Sequence, residues 1–375
     1  MRIDTVLLKV VSRCNLDCSY CYVYNMGDES WRSMPKRMLP ATQALVAQQL
    51  GRLAIEQDGP FAVVLHGGEP LLLGTKGLRS LLESLRDALP ASCTVAIQTN
   101  GVLLNEALLD LCAGFGVSLS VSLDGPAAVH DKHRVDRGGR ASHTRVVAGL
   151  SKLRAHPKAH ELFSGVLAVV DPDSDPEQVY DYFRGLQVPS VDFLYRDGNR
   201  AKLPYGKAGL ESTEYGRWMA VVLHRYMTDT NPPRIRVLDD LIKLVLGGAG
   251  AKEGVGITDF GILIIDTDGS ITKNDTLKST PSGDRFDSNW TVEANDLNRI
   301  VQSREFLTYH KMQRPSSSIC KACPELSVCG GGMLSHRYDG DTGYDNPTVF
   351  CSDQKLLIGR LRRYLAAHAS TRAAA

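Results

Sequence analysis

No stretch of this 375-residue chain approaches the roughly 20 consecutive apolar residues that a membrane-spanning helix needs, which excludes a helical membrane protein. The start, Met1-Arg2-Ile3-Asp4, lacks the basic-then-apolar layout of an export signal. Charge of one sign is also missing. Lys+Arg 43 against Asp+Glu 42 leaves a net +1, so no global field draws nucleic acid or an anionic membrane. Repeats and low-complexity blocks are absent, and 43% hydrophobic with 23% charged residues is ordinary for a globular chain. Disorder, collagen and coiled coil are therefore excluded, and the length predicts about two domains of roughly 100–200 residues. What the chain does have in excess is cysteine, nine in all.

Seven of the nine fall in two groups near the ends of the chain. A disulfide framework suits small secreted domains, whereas clustered thiols in a large chain without an export signal point to metal or redox chemistry. The first group is Cys14-x3-Cys18-x2-Cys21. Three thiolates this close in sequence face one point only from a loop, since a helix or strand would fan them apart. Spacing alone leaves zinc and a three-cysteine iron–sulfur cubane both open. The second group, Cys320-x2-Cys323-x5-Cys329 and then Cys351, makes a closed four-thiolate shell, structural or electron-carrying. Cys93 opens an apolar strand and Cys112 lies on a helical stripe, so both read as core thiols.

Apolar runs alternate with helical patterns in βα order. Strands are predicted at Thr5–Val11, Phe61–His66, Cys93–Thr99, Val117–Leu123, Gly165–Val170 and Val191–Tyr195. Helices are predicted at Ala41–Glu56, Lys76–Leu89, Asn105–Phe115, His143–Ala155 and Asp175–Leu186. Strands this rich in Val, Ile and Leu suit a parallel sheet covered on both faces. A full eight-unit barrel takes about 250 residues, whereas six units end here near 197, so a partial (β/α)6 TIM-like barrel is expected. Each polar, glycine-bearing motif follows a strand: the Cys14 triad, His66-Gly67-Gly68-Glu69-Pro70, Gln98-Thr99-Asn100-Gly101 and Ser122-Leu123-Asp124-Gly125. Barrel enzymes build active sites at that end. Tyr195, Arg196 and Asp197 lie on the same face and either serve the site or form a local network. Beyond them come two helical patterns, Thr213–Tyr226 and Val237–Leu246, and an Asp268-Gly269 hairpin signal. A helix at Lys355–His368 and a frayed tail close the chain. The expected domains are a barrel at 1–200, a helical bridge at 201–260, a cluster domain at 261–360 and a helix end with its tail at 361–375.

Cys-x3-Cys-x2-Cys just after a first strand, with Tyr20 before the last cysteine, resembles the radical S-adenosylmethionine (SAM) superfamily, and Gly67-Gly68-Glu69-Pro70 resembles its GGEP motif. The resemblance implies a 4Fe–4S cluster on Cys14, Cys18 and Cys21 whose fourth iron chelates SAM. It further implies that Gly67, Gly68, Glu69 and Pro70 hold the SAM ammonium. Ser122 and Arg134 match carboxylate-binding positions of related peptide maturases, while Tyr20 and Leu167 resemble positions whose backbone meets the adenine. The second cysteine group resembles a C-terminal SPASM or twitch iron–sulfur domain. It departs from the full seven-cysteine pattern, because Asn274 and Met333 stand at two ligand positions. Both belong to the auxiliary cluster nearer the active site, so only the outer auxiliary 4Fe–4S cluster, on Cys320, Cys323, Cys329 and Cys351, is expected.

Over about 1–360 the chain resembles radical SAM/SPASM-type maturases of ribosomal peptides, most of all the cyclophane-forming, FxsB-like group. The cues are residues 14–25, 64–73 and Asn274-Asp275-Thr276-Leu277-Lys278. The implied reaction removes a hydrogen from a side-chain Cβ and links that carbon to an aromatic ring of the same precursor peptide. Asp275 matches the aspartate that acts as base in anaerobic sulfatase-maturing enzymes. A one-electron donor such as a flavodoxin or ferredoxin, a cytoplasmic location, and no nucleic-acid or membrane partner complete the expectation. Only thirteen residues precede Cys14, so the precursor is expected to dock elsewhere, on residues 200–300. The rival products are formylglycine on a sulfatase, a thioether or an epimer, and the rival without catalysis is a zinc-stabilised binding protein.

Overall fold

The computed structural model describes residues 1–280 and 285–373, with the backbone alone for 368–373. The last two residues of the expected tail lie outside the described residues. The chain divides into two compact units. The first comprises residues 1–123, 130–166 and 261–310, and the second residues 124–129, 167–260 and 311–375.

All six predicted barrel strands form, each within a residue or two of its expected ends. They are β1 (Thr5–Val11), β2 (Ala62–Gly67), β3 (Thr94–Thr99), β4 (Val117–Ser122), β5 (Phe163–Val169) and β6 (Val191–Leu194). Two more follow, β7 (Ile262–Ile265) and β8 (Ile271–Thr272). In the first unit the strand order runs β5-β4-β3-β2-β1-β7-β8. β1 pairs in parallel with both β2 and β7, and β7 turns back antiparallel onto β8 around the predicted Asp268-Gly269 corner. Parallel neighbours need a covered crossover, and helices Pro40–Glu56, Gly74–Ala88, Glu106–Gly114 and His143–Ala155 supply it. Their starts are set locally. Pro40 sits at the first helical position, where its missing N–H is no loss, and the Asn105 side chain accepts the Leu108 N–H at 3.1 Å.

β5 crosses the boundary between the units, and in the second unit its end pairs with β6. Helix Cys351–Ala373 packs there on helix Glu214–Thr228, which also meets helix Pro176–Leu186. The last helix begins four residues earlier than the expected Lys355, at Cys351 itself. Helices Leu297–Gln302 and Arg304–Lys311 have no counterpart in the sequence reading. Both are short, at six and eight residues, so each carries too little apolar period to stand out. Cys93 and Cys112 are core thiols as expected, 0% and 1% exposed. Among the described residues no helix is long and apolar enough to cross a membrane.

Candidate active site

Register places one polar layer across the sheet of the first unit. Lys9 on β1 lies beside His66 on β2, and Gln98 on β3 beside Ser120 on β4. Because side chains alternate along a strand, these residues share one face near the carboxyl ends. Gln98 Nε2 donates to Ser122 Oγ at 2.9 Å, so Ser122 sits at the edge of this layer.

The loops that follow β1, β2 and β3 are knitted together. Glu69 is fully buried, and its Oε1 accepts the Leu71 N–H (3.0 Å) and the Thr99 hydroxyl (2.7 Å). Its Oε2 accepts the Asn100 N–H at 2.8 Å. Gly67 and Gly68 are required by space. A Cβ on Gly67, at φ +129°, would stand 2.2 Å from the Val11 carbonyl oxygen. One on Gly68 would lie 2.1 Å from the Tyr24 hydroxyl. Pro70 then opens a short 3₁₀ turn for which Glu69 is the cap.

Burial pushes the Glu69 carboxyl up from 4.5 to about 7, with the Asn100, Thr99 and Leu71 hydrogen bonds pulling the other way. A carboxyl raised on folding contributes stability that is complete below about pH 4.5 and lost as pH rises through 7. In cofactor-free protein the advantage of wild type over Glu69→Gln should therefore shrink by about 3 kcal/mol between pH 4.5 and 8. Urea unfolding at each pH reads this, and a constant gap would mean that Glu69 is ionised throughout.

Cys14, Cys18 and Cys21 lie on the loop after β1, as predicted. The Cys21 N–H returns to the Cys18 carbonyl at 2.9 Å, and the Leu16 N–H points at the Cys14 sulfur at 3.4 Å. Backbone N–H groups of Tyr24 and Val23 reach the Cys21 sulfur. Asn100 Nδ2 lies 3.8 Å from Cys14 Sγ, and Arg134 Nη1 lies 4.0 Å from Cys18 Sγ. Burial, then the charge of Glu69, pushes the Cys14 thiol up to about 12, while burial and Cys18 push Cys21 to about 11. Three mutually repelling sulfurs in such a place stay ionised only beside a strong positive charge, as a metal group provides. Among the described residues, no three Cys, His, Asp or Glu side chains converge closely enough to bind a single metal ion. A four-iron cluster asks for less convergence, because each thiolate binds a different corner of the cube.

Arg134 is 8% exposed, with its guanidinium 5.4 Å from the centre of the Tyr20 ring. Arg134 is therefore not a solvated surface arginine, and nearby Asp136 pairs with Arg140 (2.9 Å) and Arg145 (3.3 Å). Leu167 falls on the part of β5 that belongs to the second unit.

Asp275 is 2% exposed and belongs to a buried ionic network that the sequence reading missed. Lys9 Nζ reaches Asp266 Oδ2 at 3.0 Å and Asp275 Oδ1 at 3.1 Å. Lys278 reaches the same two carboxylates at 3.0 and 3.5 Å, and Asp28 at 3.9 Å. Burial opposes the Lys9 charge, yet Asp275 and Asp266 hold it well above its ordinary value. Burial likewise opposes ionisation of Asp266, yet Lys9 and Lys278 hold it well below. Asp275 Oδ2 and His66 Nδ1 are both enclosed without a hydrogen-bond partner. A lysine inside the otherwise apolar strand Thr5–Val11 was the available signal.

In the second unit, Cys320, Cys323, Cys329 and Cys351 line one pocket, together with Leu326, Pro347 and Lys355. Burial raises Cys320, Cys329 and Cys351, Cys329 to about 12. Tyr195, Arg196 and Asp197 enter a local network: Tyr195 packs on Phe350 (4.7 Å), Arg196 on Tyr205 (4.5 Å), and Asp197 lies 3.6 Å from His336.

Comparison with known proteins finds relatives that share this fold. The profile of the radical SAM superfamily matches residues 8–183. An uncharacterized protein of Synechocystis, sll1766, is 28% identical over 89% of this chain and 84% of its own length. The cysteine-type anaerobic sulfatase-maturating enzyme of Clostridium perfringens (strain 13) is 23% identical over 94% of both chains. Among solved structures, anSMEcpe with bound AdoMet superposes with a TM-score of 0.83 at 20% identity, covering 97% of this chain and 98% of the other. Streptococcus suis SuiB bound to precursor peptide SuiA superposes with 0.63 at 14% identity, covering 93% and 76%. With a parallel βα sheet, a cysteine loop after its first strand and a glycine-rich loop after its second, residues 8–183 of this chain match the radical SAM superfamily in sequence and carry its fold.

Proposed function

We propose that the chain is a peptide maturase that binds SAM at a 4Fe–4S cluster on Cys14, Cys18 and Cys21, removes a hydrogen from a Cβ of a ribosomally made precursor peptide, and closes a carbon–carbon cross-link to an aromatic ring. When bound, the cluster and SAM supply the hydrogen-abstracting radical. The chain's own residues do the rest. The Gly67-Gly68-Glu69-Pro70 loop receives the SAM ammonium, Ser122 and Arg134 take its carboxylate, and Tyr20 meets the adenine through its backbone. Arg134 suits a carboxylate because its fork offers paired N–H donors.

The observation that carries the reading is Asp275. Lys9 holds its Oδ1, while Oδ2 keeps a lone pair open for the proton that leaves as the ring regains aromaticity. Cys320, Cys323, Cys329 and Cys351, which line one pocket, would hold an auxiliary cluster, and that group would supply an acceptor for the accompanying electron. Asn274 spends its side chain capping Thr276 (3.1 Å), and Met333 offers no thiolate, which supports one auxiliary cluster and about eight iron per chain. The enzyme would work in the cytoplasm with a flavodoxin- or ferredoxin-like donor.

Sulfatase maturation is the second reading, supported by relatives of that name that align along nearly the whole chain. Tandem mass spectrometry of peptides treated with reduced enzyme and SAM separates the two. Cross-linking predicts a loss of two hydrogens, silent fragmentation between the linked residues, and no reaction with hydrazine. A hydrazine-reactive aldehyde would establish formylglycine formation instead, and deuterium uptake at constant mass formula would establish epimerisation.

A further inference from the structure

The second unit buries a positive charge for which the protein supplies no anion. Arg337 is 1% exposed and among the largest fully buried side chains. Its Nη2 donates to two backbone carbonyls, Met312 at 2.8 Å and Gln313 at 2.6 Å. Its Nε is enclosed without a partner. Among the described residues no carboxylate pairs with it. A guanidinium cannot shed its proton to escape this position, and an uncompensated buried charge costs several kcal/mol. Burial works against the Arg337 charge, while the sulfurs of Cys320 and Cys329 work for it.

The anion that fits is the four-cysteine site itself. Lys355 lines the same pocket, and its charge is felt at Cys320 and Cys351. The Gly331 N–H points at the Cys329 sulfur. A four-thiolate 4Fe–4S group carries a net negative charge that grows by one on reduction. Reduction potentials of such groups rise with nearby positive charge and with hydrogen bonds to sulfur.

We propose that Arg337, assisted by Lys355, is the built-in counter-charge of the auxiliary cluster and raises its reduction potential, so that this site is set to accept an electron. The inference rests on the iron–sulfur reading of the four cysteines given above. Arg337 acts through the electrostatic field and touches no substrate.

The test is a redox titration followed by electron paramagnetic resonance, in holoenzyme carrying Cys14→Ala/Cys18→Ala/Cys21→Ala so that a single cluster remains. At an ambient potential equal to the midpoint of this parent, Arg337→Gln should lower the reduced-to-oxidised ratio about tenfold, or about 59 mV for one electron. Arg337→Lys, which keeps the charge, should stay within about threefold of the parent. Lys355→Gln should shift the ratio in the same direction by less, being exposed, and the exposed control Arg363→Gln should not move it. If Arg337→Gln fails to assemble its cluster, Lys355→Gln decides, and an unmoved potential there overturns the proposal. A loaded cluster whose potential ignores Arg337 overturns this inference alone. A parent protein that binds no iron overturns the iron–sulfur reading as well.

Discussion

Replacing Cys14, Cys18 and Cys21 together with alanine should abolish SAM cleavage while leaving about four iron per chain. The magnitude follows from the absence of any substitute ligand. The three thiols sit on one loop, Asn15 and Asn100 are amides that hydrogen-bond each other at 2.7 Å, Asp17 accepts from Asn25 at 3.0 Å, and Glu69 has both oxygens occupied by donors. With no anchor for the cluster, 5′-deoxyadenosine formation should fall more than about 10³-fold, to that of reductant alone. The loop fold itself should survive. Its Cys18–Cys21 turn is a backbone hydrogen bond, and Leu16 keeps its place in the core at 2% exposed. Iron analysis and chromatography of 5′-deoxyadenosine check both halves. Persistent cleavage would sink the assignment of the triad, and loss of all iron would sink that of the second site.

Asp275→Asn should separate radical generation from product formation. The amide keeps the shape of the side chain and removes its basicity, and loss of a positioned base typically slows a reaction about 10²–10⁴-fold. SAM cleavage should stay within a factor of a few, because the Asp275 carboxylate accepts from Lys9 and pairs with Lys278, neither of which lies on the cysteine loop or the Gly67–Pro70 loop. The complication is the ionic network. Removing one carboxylate leaves Lys9 and Lys278 sharing Asp266, with Asp28 at 3.9 Å from Lys278, and breaking a buried pair costs about 3–5 kcal/mol. Iron content and melting temperature therefore accompany the turnover assay. A folded, loaded Asp275→Asn protein that still makes product at the wild-type rate would reduce Asp275 to a structural clamp.

The two cysteine groups, the GGEP-like loop and the alternation of strands and helices were legible because each is a local pattern. Thiol spacing fixes which sulfurs share a loop, and a run such as Thr5–Val11 declares a buried parallel strand without reference to the rest of the chain. The short helices at Leu297–Gln302 and Arg304–Lys311 were not legible, since so few turns carry too little periodic signal. Arg134 was ambiguous in the sequence because nearby Asp131 and Asp136 offered partners. In the fold Asp131 is taken up by the Ser142 and His143 N–H groups (2.9 and 2.8 Å), and the guanidinium is buried over Tyr20.

Sequence alone was enough to determine the barrel strands and to single out candidate residues for the chemistry, because ligand type and side-chain period are properties of neighbours along the chain. Only the tertiary structure decided what surrounds them. Pairing β7 with β1, some 257 residues apart, brings Asp266 and Asp275 to Lys9, and folding leaves Arg337 without an acidic partner among the described residues. Charge balance in a buried site depends on distances through space, and no spacing along the chain encodes those.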